Sequence, residues 1–191
     1  MAQDWDGLAK SWESNPATKQ FAQSVFEQLQ QLTQLDGIKL LDFGCGTGQL
    51  SQLLSPMVKD IVALDTSEEM IEELDKKELV NVEPVVDTLS RGLVAQHPAF
   101  RGQFDLVVAS SVLAFVDDVD SALNISHSLL NHDGYFVHFD FVSDSQQDGF
   151  TVAQSESALV KAGFTDVETK PVFEITSDGK TMSVLMGVGR R

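Results

Sequence analysis

A doubly wound α/β domain, a mostly parallel sheet with helices on both faces, is the fold class this 191-residue sequence predicts. Segments of helical period alternate with short apolar runs along the chain, without an internal repeat. One run, Phe104-Asp105-Leu106-Val107-Val108-Ala109, is nearly continuous in apolar residues, as a strand covered on both faces requires. Another, Lys39–Phe43, leads directly into Gly44, Gly46 and Gly48, a strand, a tight turn and a helix start.

Taken in order, residues from about Trp5 to Leu35 read as helical, with Phe21, Val25, Leu29 and Leu32 on one face and Asp36-Gly37 as the stop. The first strand is Lys39–Phe43, and a short helix covers Gly48–Leu54 until Ser55-Pro56. The second strand is Asp60–Leu64. Thr66-Ser67-Glu68-Glu69 has the form of a capping box, which makes Thr66 the N-cap of a helix reaching about Lys77. Val82–Val86 is the third strand and Phe104–Ala109 the fourth. Val119–Leu130 is helical, and Asp133-Gly134 turns the chain into a fifth strand at Tyr135–Phe141. A polar loop, Ser143–Gly149, precedes a helix at Thr151–Ala162 that Gly163 ends. Two last strands, Val167–Ile175 and Met182–Val188, flank Asp178-Gly179, a hairpin signal.

Composition bounds the function. The length predicts one domain over residues 1–191 with a continuous core. No run approaches the ~20 apolar residues of a membrane span, so no membrane partner is expected. The start MAQDWDGLAK is polar and acidic, unlike a secretory or transit signal, and the single cysteine, Cys45, cannot form an internal disulfide. Both predict a cytoplasmic protein. A net charge of −16, with 13 basic residues and no basic cluster, argues against nucleic acid as a substrate. Oligomeric state is not legible.

The glycine turn carries the chemistry. Asp65 ends the next apolar run, Ile61-Val62-Ala63-Leu64, ~20 residues beyond the turn, where a carboxylate can take two ribose hydroxyls. A nucleoside-containing cofactor is therefore expected. The dinucleotide fingerprint G-x-G-x-x-G faces a pyrophosphate. Here the third glycine comes one residue early, and Asp42 before the turn would repel a pyrophosphate but attract an ammonium group. Small size, rather than thiol reactivity, accounts for Cys45 in the turn.

The pattern Asp42-x-Gly44-Cys45-Gly46-Thr47-Gly48 resembles the first motif of class I S-adenosylmethionine-dependent methyltransferases, and the likeness extends from about Leu40 to Val188. The resemblance implies a Rossmann-like seven-stranded sheet of order 3-2-1-4-5-7-6 with the last strand antiparallel. It implies S-adenosylmethionine as cofactor, with Asp42 near its amino-acid end and Gly44, Cys45, Gly46, Thr47 and Gly48 forming the turn. Val62–Ile71 looks like the second motif, which puts Asp65 on the ribose and Thr66 and Met70 near the adenine. The run from Glu83 to Leu89 resembles the segment that meets the adenine amine, here Asp87, with Thr88 and Leu89 beside the ring. The stretch after Phe104 is similar to the fourth motif, where Ser110 and Ser111 border cofactor and acceptor. The family's L-x-P-G-G strand entry is replaced by Asn131, His132 and Asp133 before Gly134.

In-line displacement of a sulfonium-bound methyl asks mainly for alignment, and for a base only where the acceptor is protonated. No catalytic residue is assigned on this sequence. His138 and Asp140, near the carboxyl edge of the fifth strand, are candidate bases, with a role as buried hydrogen-bonded structural groups as the alternative. His127 and His132 flank a helix end as dipole partners, and His97 lies in a loop. Trp5 and Trp12 stand in W-D-x-x-A-x-x-W, which resembles the Y-D-x-x-A-x-x-Y segment of small-molecule methyltransferases that folds over the cofactor. Residues 1–36 would then be a helical lid on a core at 37–191; the alternative is that both rings pack the helix on the body. Phe115, Phe141 and Phe150 are candidates for an apolar acceptor wall or for core.

No N-P-P-Y-like run follows the fourth strand and no double-Glu loop is present, so a small-molecule acceptor is expected over nucleic acid or protein. Asp117, Asp118 and Asp120 with Asp140 and Asp144 could be oxygen ligands for Mg²⁺, but a solvated helix start, with Asp117 or Asp118 capping Val119 onward, is the preferred reading, and no metal is expected. A short-chain oxidoreductase would need Tyr-x-x-x-Lys, and Tyr135 has Phe139 at that offset. A non-catalytic cofactor-binding partner or regulator stays open, because every motif belongs to cofactor binding.

Overall fold

A computed structural model describes residues 4–144, 148–177 and 179–191. In chain order it holds α1 (Trp5–Ser14), α2 (Pro16–Leu32), β1 (Lys39–Phe43), α3 (Gln49–Leu54), β2 (Asp60–Asp65), α4 (Glu68–Asp75) and β3 (Val82–Val86). Then come α5 (Arg91–Gln96), a 3-10 turn at Pro98–Phe100, β4 (Phe104–Ser110), a second 3-10 turn at Leu113–Phe115, and α6 (Val119–Leu129). The chain closes with β5 (Leu130–Phe141), α7 (Val152–Lys161), β6 (Thr165–Ser177) and β7 (Lys180–Arg190).

The seven strands form one sheet in the order β3-β2-β1-β4-β5-β7-β6. Neighbours from β3 to β5 are parallel, and β7 runs antiparallel to both β5 and β6, as the sequence resemblance implies. The two-residue period of the strands sorts the core onto two faces. Leu41, Phe43, Val107 and Phe136 pack with residues of α5, α6 and α7. Leu40, Leu106, Val137 and Phe139 pack with residues of α2, α3 and α4. No helix among the described residues is long and apolar enough to cross a membrane.

Local chemistry explains where elements depart from expectation. The N-terminal helix is two helices, because Asn15 is extended (φ −72°, ψ 122°) and caps α2 by accepting from Ala17 N–H at 2.9 Å. Pro16 follows in the first turn, where its missing N–H costs nothing. The N-cap of α4 is Ser67 rather than Thr66: its hydroxyl accepts from Met70 N–H at 3.1 Å, and Thr66 is exposed. Asp133 and Gly134 do not turn the chain into β5. That strand already starts at Leu130 and absorbs them in a register shift opposite Phe104–Leu106. The expected loop at Ser143–Gly149 and hairpin signal at Asp178-Gly179 fall partly outside the described residues; Gly179 is left-handed, φ +73°.

Candidate functional site

The site begins where β1 stops. Gly44, Gly46 and Gly48 have φ of +70°, +54° and +76°, a sequence of left-handed residues that L side chains adopt at a cost. Space requires glycine as well: a Cβ would fall 2.2 Å from Val112 Cγ2 at Gly44 and 2.3 Å from Leu74 Cδ1 at Gly48. The turn is pinned to the neighbouring strand, since Gly44 N–H and Cys45 N–H both donate to Leu64 O, at 2.7 and 3.0 Å.

Asp65 at the end of β2 closes the other side. One carboxylate oxygen accepts from Gly46 N–H at 2.8 Å and the other from Ser67 N–H at 3.0 Å. Burial raises its pKa against the help of these amides. An ionised carboxylate has about four acceptor positions, so two hydroxyl donors still fit. Asp42 is 1% exposed and faces α3, where Ser51 Oγ donates to it at 2.6 Å. Its other oxygen has no partner among the described residues. Burial, reinforced by the nearby Asp65 charge and offset by Ser51, raises its pKa to about 6. Burial also pushes the Cys45 thiol well above its ordinary range, with the Asp42 and Asp65 charges adding to it. That leaves Cys45 a poor nucleophile.

The remaining expected cofactor residues stand at the same sheet edge. Met70 is buried under the turn, and a Cβ at Gly46 would lie 4.0 Å from its sulfur. Asp87 N–H donates to Asp65 O at 3.0 Å; Asp87 and Thr88 are exposed, Leu89 is buried, and Thr47 is buried in the turn. Ser110 ends β4 half-buried, and Ser111 beyond it is left-handed, φ +58°. Thr66 is also exposed, while its neighbour Ser67 does the capping.

Over this turn lies α1. Trp12 is the nearest side chain above Gly46, 3.5 Å from where a Cβ would be. Trp5 packs edge-on against Trp12 at 5.8 Å and against Phe115 at 4.9 Å. Polar ties hold the helix down: Ser67 Oγ donates to Asp6 at 2.5 Å, Gln49 Nε2 to Trp12 O at 3.3 Å, and Lys77 Nζ to Glu13 at 2.6 Å. Sequence reasoning missed Ser67, Gln49, Leu74, Lys77 and Val112. Their role depends on distant partners, and only the α4 capping pattern hinted at Ser67.

His138 and Asp140 prove to be interior groups. They are 1% and 2% exposed, with His138 Nδ1 2.8 Å from Asp140 and Nε2 2.7 Å from Ser155 Oγ, which lies 3.0 Å from Thr169 Oγ1. Both ring nitrogens are engaged, so neither is open to an acceptor's proton. Phe141 packs on Phe21 at 5.8 Å and Phe150 on His138 at 5.9 Å, which makes both core; Phe115 is half exposed beside Trp5 of α1. His127 meets Phe164 edge-to-face at 4.9 Å, His132 pairs with Asp133, and His97 caps the turn at Pro98–Phe100. Asp118 caps α6 through Ser121 N–H at 2.9 Å, and Asp120 pairs with Lys161. No group of three or more potential metal ligands forms among the described residues.

A glycine turn clamped to β2, a fixed carboxylate at Asp65 and this strand order together define a class of protein, and the comparisons agree with it. The family model described as Methyltransferase domain matches residues 17–169. The chain belongs to that family, the class I S-adenosylmethionine-dependent methyltransferases. An uncharacterized methyltransferase of Schizosaccharomyces pombe is 31% identical over 60% of this chain and 41% of its own length. Mitochondrial arginine-hydroxylase NDUFAF5 of Rattus norvegicus is 33% identical over 55% of this chain and 29% of its own. The chain thus matches well under half the length of these curated relatives. The solved DhpI-SAM-HEP complex shares the fold, with a TM-score of 0.75 at 21% identity over 98% of this chain and 94% of that one.

Proposed function

We propose that the protein transfers a methyl group from S-adenosylmethionine to a small-molecule acceptor by in-line displacement. The observation that carries the reading is the pairing of a buried, half-unpaired Asp42 carboxylate with the amide-fixed Asp65, on either side of the glycine turn. An unpaired buried carboxylate oxygen is costly unless a donor meets it, and the α-ammonium of an amino-acid-bearing ligand is such a donor. Asp65 then takes the ribose hydroxyls, and Met70, Asp87, Thr88 and Leu89 border the adenine. Gly44–Gly48 let the ligand approach the backbone, and Ser110 stands between it and the acceptor.

The bound cofactor supplies a methyl on a sulfonium, already a good leaving group, and the chain's task is alignment and exclusion of water. In this reading residues 1–191 form one domain in which residues 1–36 are the lid, α1 covering the site and α2 anchoring it on the sheet. Trp12 brings the Nε1 edge of its indole over the turn, an N–H donor for the ligand's polar atoms. The reading includes a cytoplasmic location, which the single cysteine supports.

A protein acceptor is the second reading, favoured by the 33% identity to a relative named an arginine-hydroxylase. Calorimetric titration with S-adenosylmethionine, S-adenosylhomocysteine and NADH tests the first step. Micromolar binding of the first two, without NADH, is expected; NADH binding alone would overturn the reading. An acceptor screen read by S-adenosylhomocysteine formation, run on metabolites and on protein extracts, then separates the two acceptor classes. Binding without turnover on either would favour a partner or regulatory role.

A further inference from the structure

We propose that Asp6 of α1 is a positioning residue for the ribose end of the cofactor. It holds Ser67, whose amide orients Asp65, so the helix over the site also completes the ribose subsite beneath it. The inference rests on the reading of Asp65 as the ribose acceptor of a methyl-transfer site.

Asp65 is held from two sides. Gly46 N–H reaches one oxygen from the glycine turn at 2.8 Å, and Ser67 N–H reaches the other from the start of α4 at 3.0 Å. α1 touches both of these donors. Trp12 stands over Gly46, its Nε1 3.5 Å from where a Cβ would be, and Asp6 accepts from Ser67 Oγ at 2.5 Å. Six residues of helix, about 9 Å along its axis, separate the two contacts.

The bond from Asp6 is not a by-product of building α1. The N-terminus of that helix is capped by Asp4, which accepts from Gly7 N–H at 3.1 Å. Asp6 turns its carboxylate to α4 instead, where Glu69 N–H donates to the same oxygen at 3.4 Å. It does so beside Glu68 and Glu69, the acids of the first turn of α4. Like charges repel, and an exposed carboxylate free to rotate would avoid them. The hydroxyl and amide donors, with the positive end of the α4 dipole, hold it there.

Ser67 makes this contact matter for the ligand. It is 4% exposed, and its hydroxyl accepts and donates at the same time. The oxygen accepts from Met70 N–H at 3.1 Å to cap α4, and the proton goes to Asp6 in a charge-assisted bond. One hydroxyl thus ties α1 to the ribose acceptor and to Met70 on the adenine side. Without Asp6 the cap survives, but the segment Asp65–Ser67 loses its tether on the α1 side. Two ribose hydroxyls need a carboxylate held at one angle, and that preorganisation is what the tether supplies.

The test compares S-adenosylhomocysteine with its dideoxyribose analogue, which lacks both hydroxyls, by calorimetric titration. Asp6→Ala is expected to fold, since Asp6 is exposed, and to bind S-adenosylhomocysteine about tenfold more weakly. Its affinity for the analogue should match the parent's, because that ligand makes no use of how Asp65 is set. Asp6→Asn keeps an acceptor for the Ser67 hydroxyl and should restore most of the loss. Ser67→Gly keeps the amide that holds Asp65 and the capping preference of the position, without the hydroxyl. It should reproduce the Asp6→Ala pattern, and the double variant should lose nothing further. Should Asp6→Ala not fold, Ser67→Gly is read in its place. Equal losses for the two ligands would mean that Asp6 only holds the helix over the site; that result, or an unchanged affinity for S-adenosylhomocysteine, overturns the positioning role alone. A parent chain that does not bind S-adenosylhomocysteine overturns the methyltransferase reading and this inference with it. A parent that binds both ligands equally overturns Asp65 as the ribose acceptor, with the same consequence.

Discussion

Gly48 and Leu74 are in contact through a missing side chain: a Cβ on the glycine would sit 2.3 Å from Leu74 Cδ1, and φ at Gly48 is +76°. The turn and α4 are packed as one unit, and the glycine serves backbone conformation and packing together. Gly48→Ala should destabilise the fold by about 2–4 kcal/mol, from strain and overpacking. Leu74→Ala should recover only the packing part when combined with it. Urea denaturation of the two single variants and the double variant measures the coupling; strict additivity would show that the contact carries no energy.

Asp42 sets a pH dependence. Its pKa rises in the fold from 3.8 to about 6, chiefly through burial, so the unfolded chain loses that proton first. Protonated Asp42 costs nothing, and the penalty grows as pH rises from near 4 through 6, reaching about 3 kcal/mol. Asp42→Asn should therefore be more stable than the parent at pH 7.5, with the gain vanishing near pH 4, and should bind S-adenosylmethionine more weakly. Denaturant midpoints at the two pH values check the first part, and an equal gain at both would contradict it.

Asp65→Asn keeps one acceptor for the turn amides and loses the charge. Hydrogen bonds to an ionised group contribute roughly 1.5–3 kcal/mol, so affinity for S-adenosylmethionine should fall about tenfold to a hundredfold with the circular dichroism spectrum unchanged. Asp65→Ala should cost more stability, because Gly46 N–H and Ser67 N–H both lose their acceptor. Calorimetry with a parallel melt distinguishes the two effects.

Lys77→Met removes a tie between α4's end and Glu13 of α1, the proposed lid, while keeping the aliphatic stem. Global stability should change by no more than about 1 kcal/mol, as for partly exposed ion pairs. The junction at Asn15-Pro16 should become more sensitive to limited proteolysis, and added S-adenosylhomocysteine should restore protection. Identical cleavage rates in parent and variant would deny Lys77 a role in lid closure.

The first strand, the glycine turn and Asp65 were legible in the sequence because their signals are local: an apolar run, residues without side chains, and a carboxylate at a fixed offset. The strand order followed from a family resemblance rather than from pattern. The break at Asn15-Pro16 was also written locally, as a cap followed by proline, yet the helical period on both sides masked it. Thr66 and Ser67 are equally able to cap; the choice falls to Ser67, whose hydroxyl also reaches Asp6 sixty-one residues away. His138, Ser155 and Thr169 converge from β5, α7 and β6, so no spacing along the chain announces their network.

The position of β7 has a consequence for the order of assembly. It is the last of the seven strands in chain order, and it is inserted between β5 and β6 rather than added at a margin. While the chain is still emerging from the ribosome, the β5 side of the sheet presents a row of unsatisfied amides and carbonyls next to Phe139 and Phe141. Chains that stop before Lys180 are then sticky intermediates, a natural target for holding chaperones, and only the placement of β7 pairs β5 and β6 into one sheet.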